Sequence, residues 1–336
     1  MAGANQTTTD LGVISRAYER EKRRRKEAES VLEAKSRELF LSGEEIRKRN
    51  KDLLEANHQL EQQAGVIKGL TSQYGDVTNE LQLAATVQHD LLPPPLLIPS
   101  IHAAGKFRPA HYLAGDGYDY HLINDHTFAF YVVDVAGHGI ASALVSFAIQ
   151  KHLNSKKSLY GNYERRKEKP LDEAVLNTVT ELNTAFCFHE IFLQFFTMVY
   201  GLVDLRTGVL SFCQAGHPAP IIYDTATGTV SEHGTGGFPA GMFVDSEFTV
   251  HQVQLKENDR LVIYSDGVTD CEDTEGAEYG IDRFKQGIIE SSSLGVIDAT
   301  HHLEEGLLDW TGSDDFGDDV SLLVIDFKGT LEKGAK

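Results

Sequence analysis

Several kinds of residue that build sites are scarce in this sequence. Its 336 residues include only Cys187, Cys213 and Cys271, with no CxxC spacing. That excludes a disulfide framework and a zinc knuckle, and the three thiols are expected to be buried or inert. No stretch approaches the roughly 18–20 consecutive apolar residues that span a bilayer, and the opening MAGANQTTTDLG lacks the apolar region of a signal peptide. No membrane association is expected, and the cytoplasm is the expected location. Positive charge is also short, with 31 Lys+Arg against 50 Asp+Glu and a net charge of −19. Residues 1–90 hold 14 basic and 15 acidic side chains, so nearly all of the negative charge falls on residues 91–336. A surface that acidic repels nucleic acid and anionic lipid but tolerates bound divalent cations.

Proline is absent throughout residues 1–90, where Glu, Lys, Arg, Leu, Gln and Ala dominate; this is helix-forming composition. A seven-residue apolar series runs through the segment: Leu32, Leu39, Ile46, Leu53, Leu60, Ile67, Tyr74 and Leu81. A sustained period of seven predicts a left-handed coiled coil and therefore a homodimer. If these are d positions, Ser36, Gly43, Asn50, Asn57, Ala64, Thr71 and Thr78 occupy a, and a buried Asn there favours a parallel two-stranded register at some cost in stability. Gly43, Gly65, Gly69 and Gly75 each cost about 1 kcal/mol relative to Ala inside a helix. The seam is thus specific but weak, as suits a helix that changes state in signalling, although a plain dimerisation stalk has the same pattern. Pro93, Pro94 and Pro95 stop the helix. The expected boundaries are a disordered 1–11, a coiled coil over 12–77, a linker helix and proline turn over 78–98, a globular domain over 99–328 and a tail over 329–336. No receiver, PAS or GAF domain is expected ahead of the stalk, so its input would be a protein that engages the coiled coil.

Beyond residue 100, strand-like segments joined by short turns alternate with helical stretches, which predicts an α+β domain of antiparallel sheets covered by helices. Acids recur at strand ends. Asp134 closes HTFAFYVVDV, Asp266 closes DRLVIYSD, Asp318 and Asp319 open DDVSLLVIDF, and Asp116 and Asp119 sit in YLAGDGYDY. One strand-end Asp beside Gly is usually a turn former. Four such places in one domain could instead gather carboxylates, which are tolerable together only when a cation neutralises them. With no Cys/His cluster, all-oxygen ligation suits Mg²⁺ or Mn²⁺. Two such ions would make a phosphohydrolase; spacing alone leaves a structural metal site equally open.

The ordered set ELQLAATVQHDLLPP, AGDGYDY, VVDVAGHGIASAL, FFTMVYGLVDLRTGVLSFCQAGHPAPII, GFPAGM, LKENDRLVIYSDGVTDCEDTEGAEYG and DDVSLLVI resembles the bacterial metal-dependent Ser/Thr protein phosphatases of the sporulation stage II protein E type. These belong to the type 2C (PPM) superfamily, and the resemblance covers roughly residues 78–328. It implies an αββα sandwich of two antiparallel sheets, two Mn²⁺ or Mg²⁺ ions, and direct in-line hydrolysis of phosphoserine or phosphothreonine with no phosphoenzyme. Carried over by motif, Asp116, Asp134, Asp266 and Asp318 match the metal-binding aspartates, with the Val135 carbonyl as a further ligand. Asp319 is an adjacent acid able to trade places with Asp318, and Asp119 is expected to play a supporting role. Two departures stand out. Ala114 replaces the usual first glycine before the leading acid, and Ala136 stands where the eukaryotic branch has a histidine proposed as general acid. His138 and His217 are the candidate substitutes, each more often a turn or structural histidine. Arg108 is a weak candidate for phosphate binding. The family's usual work in partner switching implies a phosphorylated anti-sigma-factor antagonist as substrate. The alternatives are a pseudophosphatase or a coiled-coil scaffold that binds its partner without turnover.

Overall fold

The computed structural model describes residues 4–154, 170–187, 194–314 and 316–331, with side chains from residue 15 onward. The chain divides into two compact units, residues 1–78 and 79–336. One long helix, α1 (Ala4–Asp90), supplies the first unit and the start of the second. It begins eight residues ahead of the expected start at 12, because nothing in Ala4–Leu11 breaks a helix once it has nucleated. The expected tails lie partly outside the described residues. In the first unit the seven-residue series stands exposed, with Leu32, Leu53 and Tyr74 at 71%, 60% and 73%.

The second unit is an α+β domain. In chain order it contains β1 (Leu96–Ile98), β2 (Ile101–Arg108), β3 (Gly117–Asn124), β4 (Thr127–Val135), α2 (Ile140–Asn154), α3 (Leu171–Cys187), β5 (Phe196–Asp204) and β6 (Val209–Ala215). There follow β7 (Ile221–Asp224), β8 (Thr229–Glu232), β9 (Val250–Gln254), β10 (Arg260–Tyr264), the single turn α4 (Gly267–Asp270), α5 (Gly280–Glu290), α6 (Val296–Thr311) and β11 (Val320–Phe327). The strands form two antiparallel sheets, ordered β1-β2-β11-β10-β7-β8 and β3-β4-β5-β6-β9.

Alternation along each strand decides what it packs against. Phe128, Phe130 and Val132 of β4 join Leu261 and Ile263 of β10 and Leu323 and Ile325 of β11 in a core between the sheets. The opposite faces serve the helices. Tyr131, Val133 and Val135 pack with Val145 and Ile149 of α2 and Val179 and Leu182 of α3, while Val262, Leu322 and Val324 pack with Phe284 of α5 and Leu303 of α6. Strands buried on both faces read as near-continuous apolar runs, as VSLLVIDF does.

Register then carries function. The end of β4 lies beside the start of β3, where Val133 pairs with Gly117. The end of β10 lies beside the start of β11, where Tyr264 pairs with Leu322. The Gly115 amide, which donates to Asp319 at 2.7 Å, brings the β3 and β4 ends of one sheet to the start of β11 in the other.

Candidate functional site

Asp134 is the penultimate residue of β4, after seven consecutive buried residues, and pairs with Thr197 of β5. Beyond it the chain turns into α2 through Gly137 and Gly139, whose φ values of +90° and +86° suit glycine. Asp116 precedes β3 and is 2% exposed. Its loop lies hard against β4, for a Cβ at Gly115 would stand 2.9 Å from the Val135 carbonyl oxygen; this places the Val135 carbonyl beside the loop that carries Asp116. Asp266 follows β10 and begins α4, its carbonyl accepting from the Thr269 and Asp270 amides at 2.8 and 2.9 Å. A Cβ at Gly267 would collide with the Asp319 carbonyl, so this turn packs on the start of β11.

Asp318 and Asp319 differ in role despite being neighbours. Asp319 is buried, and both its oxygens accept backbone amides, Oδ1 from Ala110 at 2.8 Å and Oδ2 from Gly115 at 2.7 Å. Asp318 instead lines a cavity of about 430 Å³ together with Asp134, Asp266, His111, His138 and Thr197. The Asp134 carboxylate acts electrostatically on Asp116.

The electrostatics are those of like charges held together. Burial, then the Asp134 charge, hold the Asp116 carboxyl well above the usual range, with the nearby Ser265 and Ser321 hydroxyls opposing. Burial followed by Asp266, Asp318 and Asp319 raises Asp134 to about 7. Asp266 is raised by burial and Asp318, and Asp319 by burial, against its two amide donors. Asp116 Oδ2 is buried without a hydrogen-bond partner. No Lys or Arg ion pair reaches any of the five acids among the described residues. An unsatisfied carboxylate oxygen amid raised neighbours is an arrangement that a cation would relieve. Among the described residues no group of three or more His, Cys, Asp or Glu is arranged to hold a metal ion.

The remaining candidates are dispersed. His138 lines the cavity, its ring edge-on to His111 at 4.9 Å. His217 is buried, with Nδ1 2.8 Å from Thr197 Oγ1. Asp119 lies within β3 opposite Tyr131, and its Oδ1 accepts from the Tyr120 amide at 2.7 Å. Arg108 faces a different hollow, where its Nε donates to Glu304 Oε1 at 2.7 Å and Lys106 meets the other oxygen at 2.8 Å. Thr197, His111 and the buried Gln88 were not expected. Thr197 could have been found by pairing β5 against β4; nothing near His111 in sequence points to the cavity.

Comparison with known proteins follows this geometry. The chain is 29% identical over 191 residues to the phosphoserine phosphatase RsbP of Bacillus subtilis (strain 168), covering 57% of this chain and 45% of RsbP. It is 26% identical over 203 residues to the phosphoserine phosphatase RsbU of the same organism, covering 60% of this chain and 56% of RsbU. It therefore spans about half the length of these relatives. Among solved structures, the SiaA-PP2C domain of Pseudomonas aeruginosa superposes with a TM-score of 0.61 at 18% identity, over 76% of this chain and 98% of that domain; the shared fold is that of PP2C phosphatase domains. The model of stage II sporulation protein E (SpoIIE) matches residues 124–328, a span that holds Asp134, Asp266, Asp318 and Asp319 and begins just after Asp116, and the chain belongs to the SpoIIE family.

Proposed function

We propose that this chain is a metal-dependent serine/threonine protein phosphatase. The observation that carries the reading is the gathering of Asp134, Asp266 and Asp318 on one cavity with Asp116 behind them, each strand end delivering one acid. Carboxylates and a backbone carbonyl form a hard-oxygen donor set that fits Mg²⁺ or Mn²⁺. Asp116, Asp134, the Val135 carbonyl, Asp266 and Asp318 would hold the ions. Asp319, with both oxygens engaged by amides, would fix the Ala110–Gly115 loop. Bound divalent cations supply Lewis acidity and an activated water for in-line attack on phosphorus.

The protein's own groups do the rest. Asp134 and Asp266 line the cavity. His138, at its wall beside His111, is the candidate donor of a proton to the departing seryl oxygen. The substrate is a phosphoserine or phosphothreonine of a partner protein, of the anti-sigma-factor antagonist kind, a reading supported by the sequence resemblance and by the names of RsbP and RsbU. A homodimer formed through the α1 seam, an activator protein that engages it, and a cytoplasmic location complete the reading; no helix among the described residues is long and apolar enough to cross a membrane.

The test is turnover of a phosphoserine protein and of p-nitrophenyl phosphate by the full chain, titrated with Mn²⁺ and Mg²⁺. Asp134→Asn is expected to lose at least about 100-fold in kcat, and wild-type turnover in that variant would sink the reading. The alternative is a protein that binds its partner without turnover; Mn²⁺ binding with no hydrolysis of any phosphoester would select it.

A further inference from the structure

Gln88 belongs to the last turn of α1, where a polar residue before a proline stop would ordinarily face water. It is instead 3% exposed. Its carboxamide grips one peptide twice, Nε2 donating to the Ala114 carbonyl at 2.9 Å and Oε1 accepting the Ala114 amide at 3.1 Å. The next residue, Gly115, donates its amide to Asp319 at 2.7 Å, and the one after that is Asp116, whose carbonyl accepts from Ser146 Oγ at 3.3 Å. The backbone that delivers Asp116 thus hangs from three side chains on three elements: Gln88 on α1, Asp319 before β11 and Ser146 on α2.

The other two supports belong to the sandwich itself. Gln88 alone among them belongs to α1, and the turn that carries it is anchored by Leu92 packing in the inter-sheet core and by Tyr120 Oη, which donates to the Pro94 carbonyl at 3.1 Å. Hydrogen bonds fall off steeply with distance and angle, so a small rotation or axial shift of that turn would break both bonds to Ala114 together. Asp116, whose Oδ2 has no hydrogen-bond partner, is carried by this backbone.

We propose that Gln88 is a positioning residue, whose two-point hold on the Ala114 peptide sets the place of Asp116 in the acidic site and makes that place depend on the end of α1. The link to metal rests on the phosphatase reading above; the hold on the loop does not. Outer groups that orient ligands typically change metal affinity by roughly 10–100-fold when removed.

The full chain and its Gln88→Leu and Gln88→Glu variants test this, with Asp90→Asn, on the exposed side of the same turn, as control. Two readouts are used: amide hydrogen exchange over residues 110–119 without added metal, and calorimetric titration with Mn²⁺ alone. Gln88→Leu is expected to speed exchange over 110–119 at least tenfold while β10 and β11 keep wild-type rates, and to weaken Mn²⁺ binding about tenfold or more. Gln88→Glu keeps the acceptor for the Ala114 amide and loses the donor, so it should fall between. Unchanged exchange over 110–119 in Gln88→Leu overturns the proposal whatever the metal does, and so does faster exchange spread evenly over the sandwich, which would mark Gln88 as a general stabiliser. Wild-type protein that binds no Mn²⁺ overturns the phosphatase reading, and the exchange data then still decide whether Gln88 holds the loop.

Discussion

Asp134 is next to last in a strand whose preceding residues are all buried, and its charge is opposed by burial and by three neighbouring acids. Asp134→Asn should therefore have opposite effects under two conditions. In chelator the variant loses a repulsion and is expected to be more stable than wild type by roughly 1–3 kcal/mol. In excess Mn²⁺ the order reverses, since an ion at a hundred times its Kd adds about 2.7 kcal/mol to the form that binds it. Thermal melts in EDTA and in Mn²⁺ read both, and a lower melting temperature for the variant in EDTA would contradict the repulsion. His217 gives a pH prediction. Burial lowers its imidazole to about 3, against a small opposing backbone contribution at Tyr264. The folded pKa lies below the unfolded value, so the unfolded chain takes up the proton first. The stability associated with neutral His217 is complete above about pH 6.5 and declines as pH falls toward 3. Between pH 6.5 and 5 this amounts to about 2 kcal/mol, and His217→Gln should lose correspondingly less stability than wild type over that window in urea titrations. A parallel loss in both proteins would rule His217 out as the source. At this scale the acids were legible because glycines mark the strand ends that carry them. The difference between Asp318 and Asp319 was not, because it depends on which oxygen meets the Ala110 and Gly115 amides across more than 200 residues of sequence.

Strands β10 and β11 are fastened at the end opposite the acids. Arg260 is buried and donates to Asp326 from Nε at 2.7 Å and from Nη2 at 3.1 Å, and to the Ser291 and Leu294 carbonyls at 2.7 and 2.6 Å. One guanidinium thus ties β10 to β11 and to the connection between α5 and α6. Removing Arg260 leaves the buried Asp326 with Lys328, whose Nζ meets its Oδ2 at 3.1 Å, so the cost falls at the lower end of the roughly 3–5 kcal/mol of a broken buried pair. Arg260→Met should lower the urea midpoint accordingly, and Arg260→Met combined with Asp326→Leu should recover most of the loss. Mn²⁺ affinity should change little in both, since the acids flank the other ends of these strands; a tenfold loss in the double variant would show that the two ends are coupled. Elements were readable where one pattern dominated, as in DRLVIYSD, VSLLVIDF and the helices α5 and α6. YLAGDGYDY was harder. Its glycines suggest a loop throughout, yet β3 starts at Gly117 because Tyr118 and Tyr120 fill the inter-sheet core, which puts Asp119 in a strand. Gln88 was invisible for the same reason, since nothing in VQHDLL reveals that the carboxamide points inward.

At the scale of the whole chain, the property to explain is the exposed apolar series of α1. The seven-residue series of the first unit is solvent-exposed in a single chain, and apolar residues at that interval bury themselves by pairing with a second helix. The interleaved positions include Asn50 and Asn57, which specify register at the expense of stability. If the stalk pairs as proposed, Asn50→Ile with Asn57→Ile should raise the melting temperature of the helix, followed at 222 nm, with light scattering expected to report a dimer, since Ile at a with Leu at d favours two strands. Phosphatase turnover separates the two readings of the seam. If the stalk only joins two copies, tightening it leaves kcat and Mn²⁺ affinity unchanged. If its imperfections let the helix move between states, a locked seam fixes one of them, and turnover without any activator shifts up or down by several-fold. Adding Gln88→Leu to the locked stalk makes the comparison specific. Were the end of α1 to act on the acids through the Ala114 peptide, the shift produced by the seam substitutions would vanish in the triple variant; a shift of equal size with and without Gln88 would mean that the stalk acts on the site by another route.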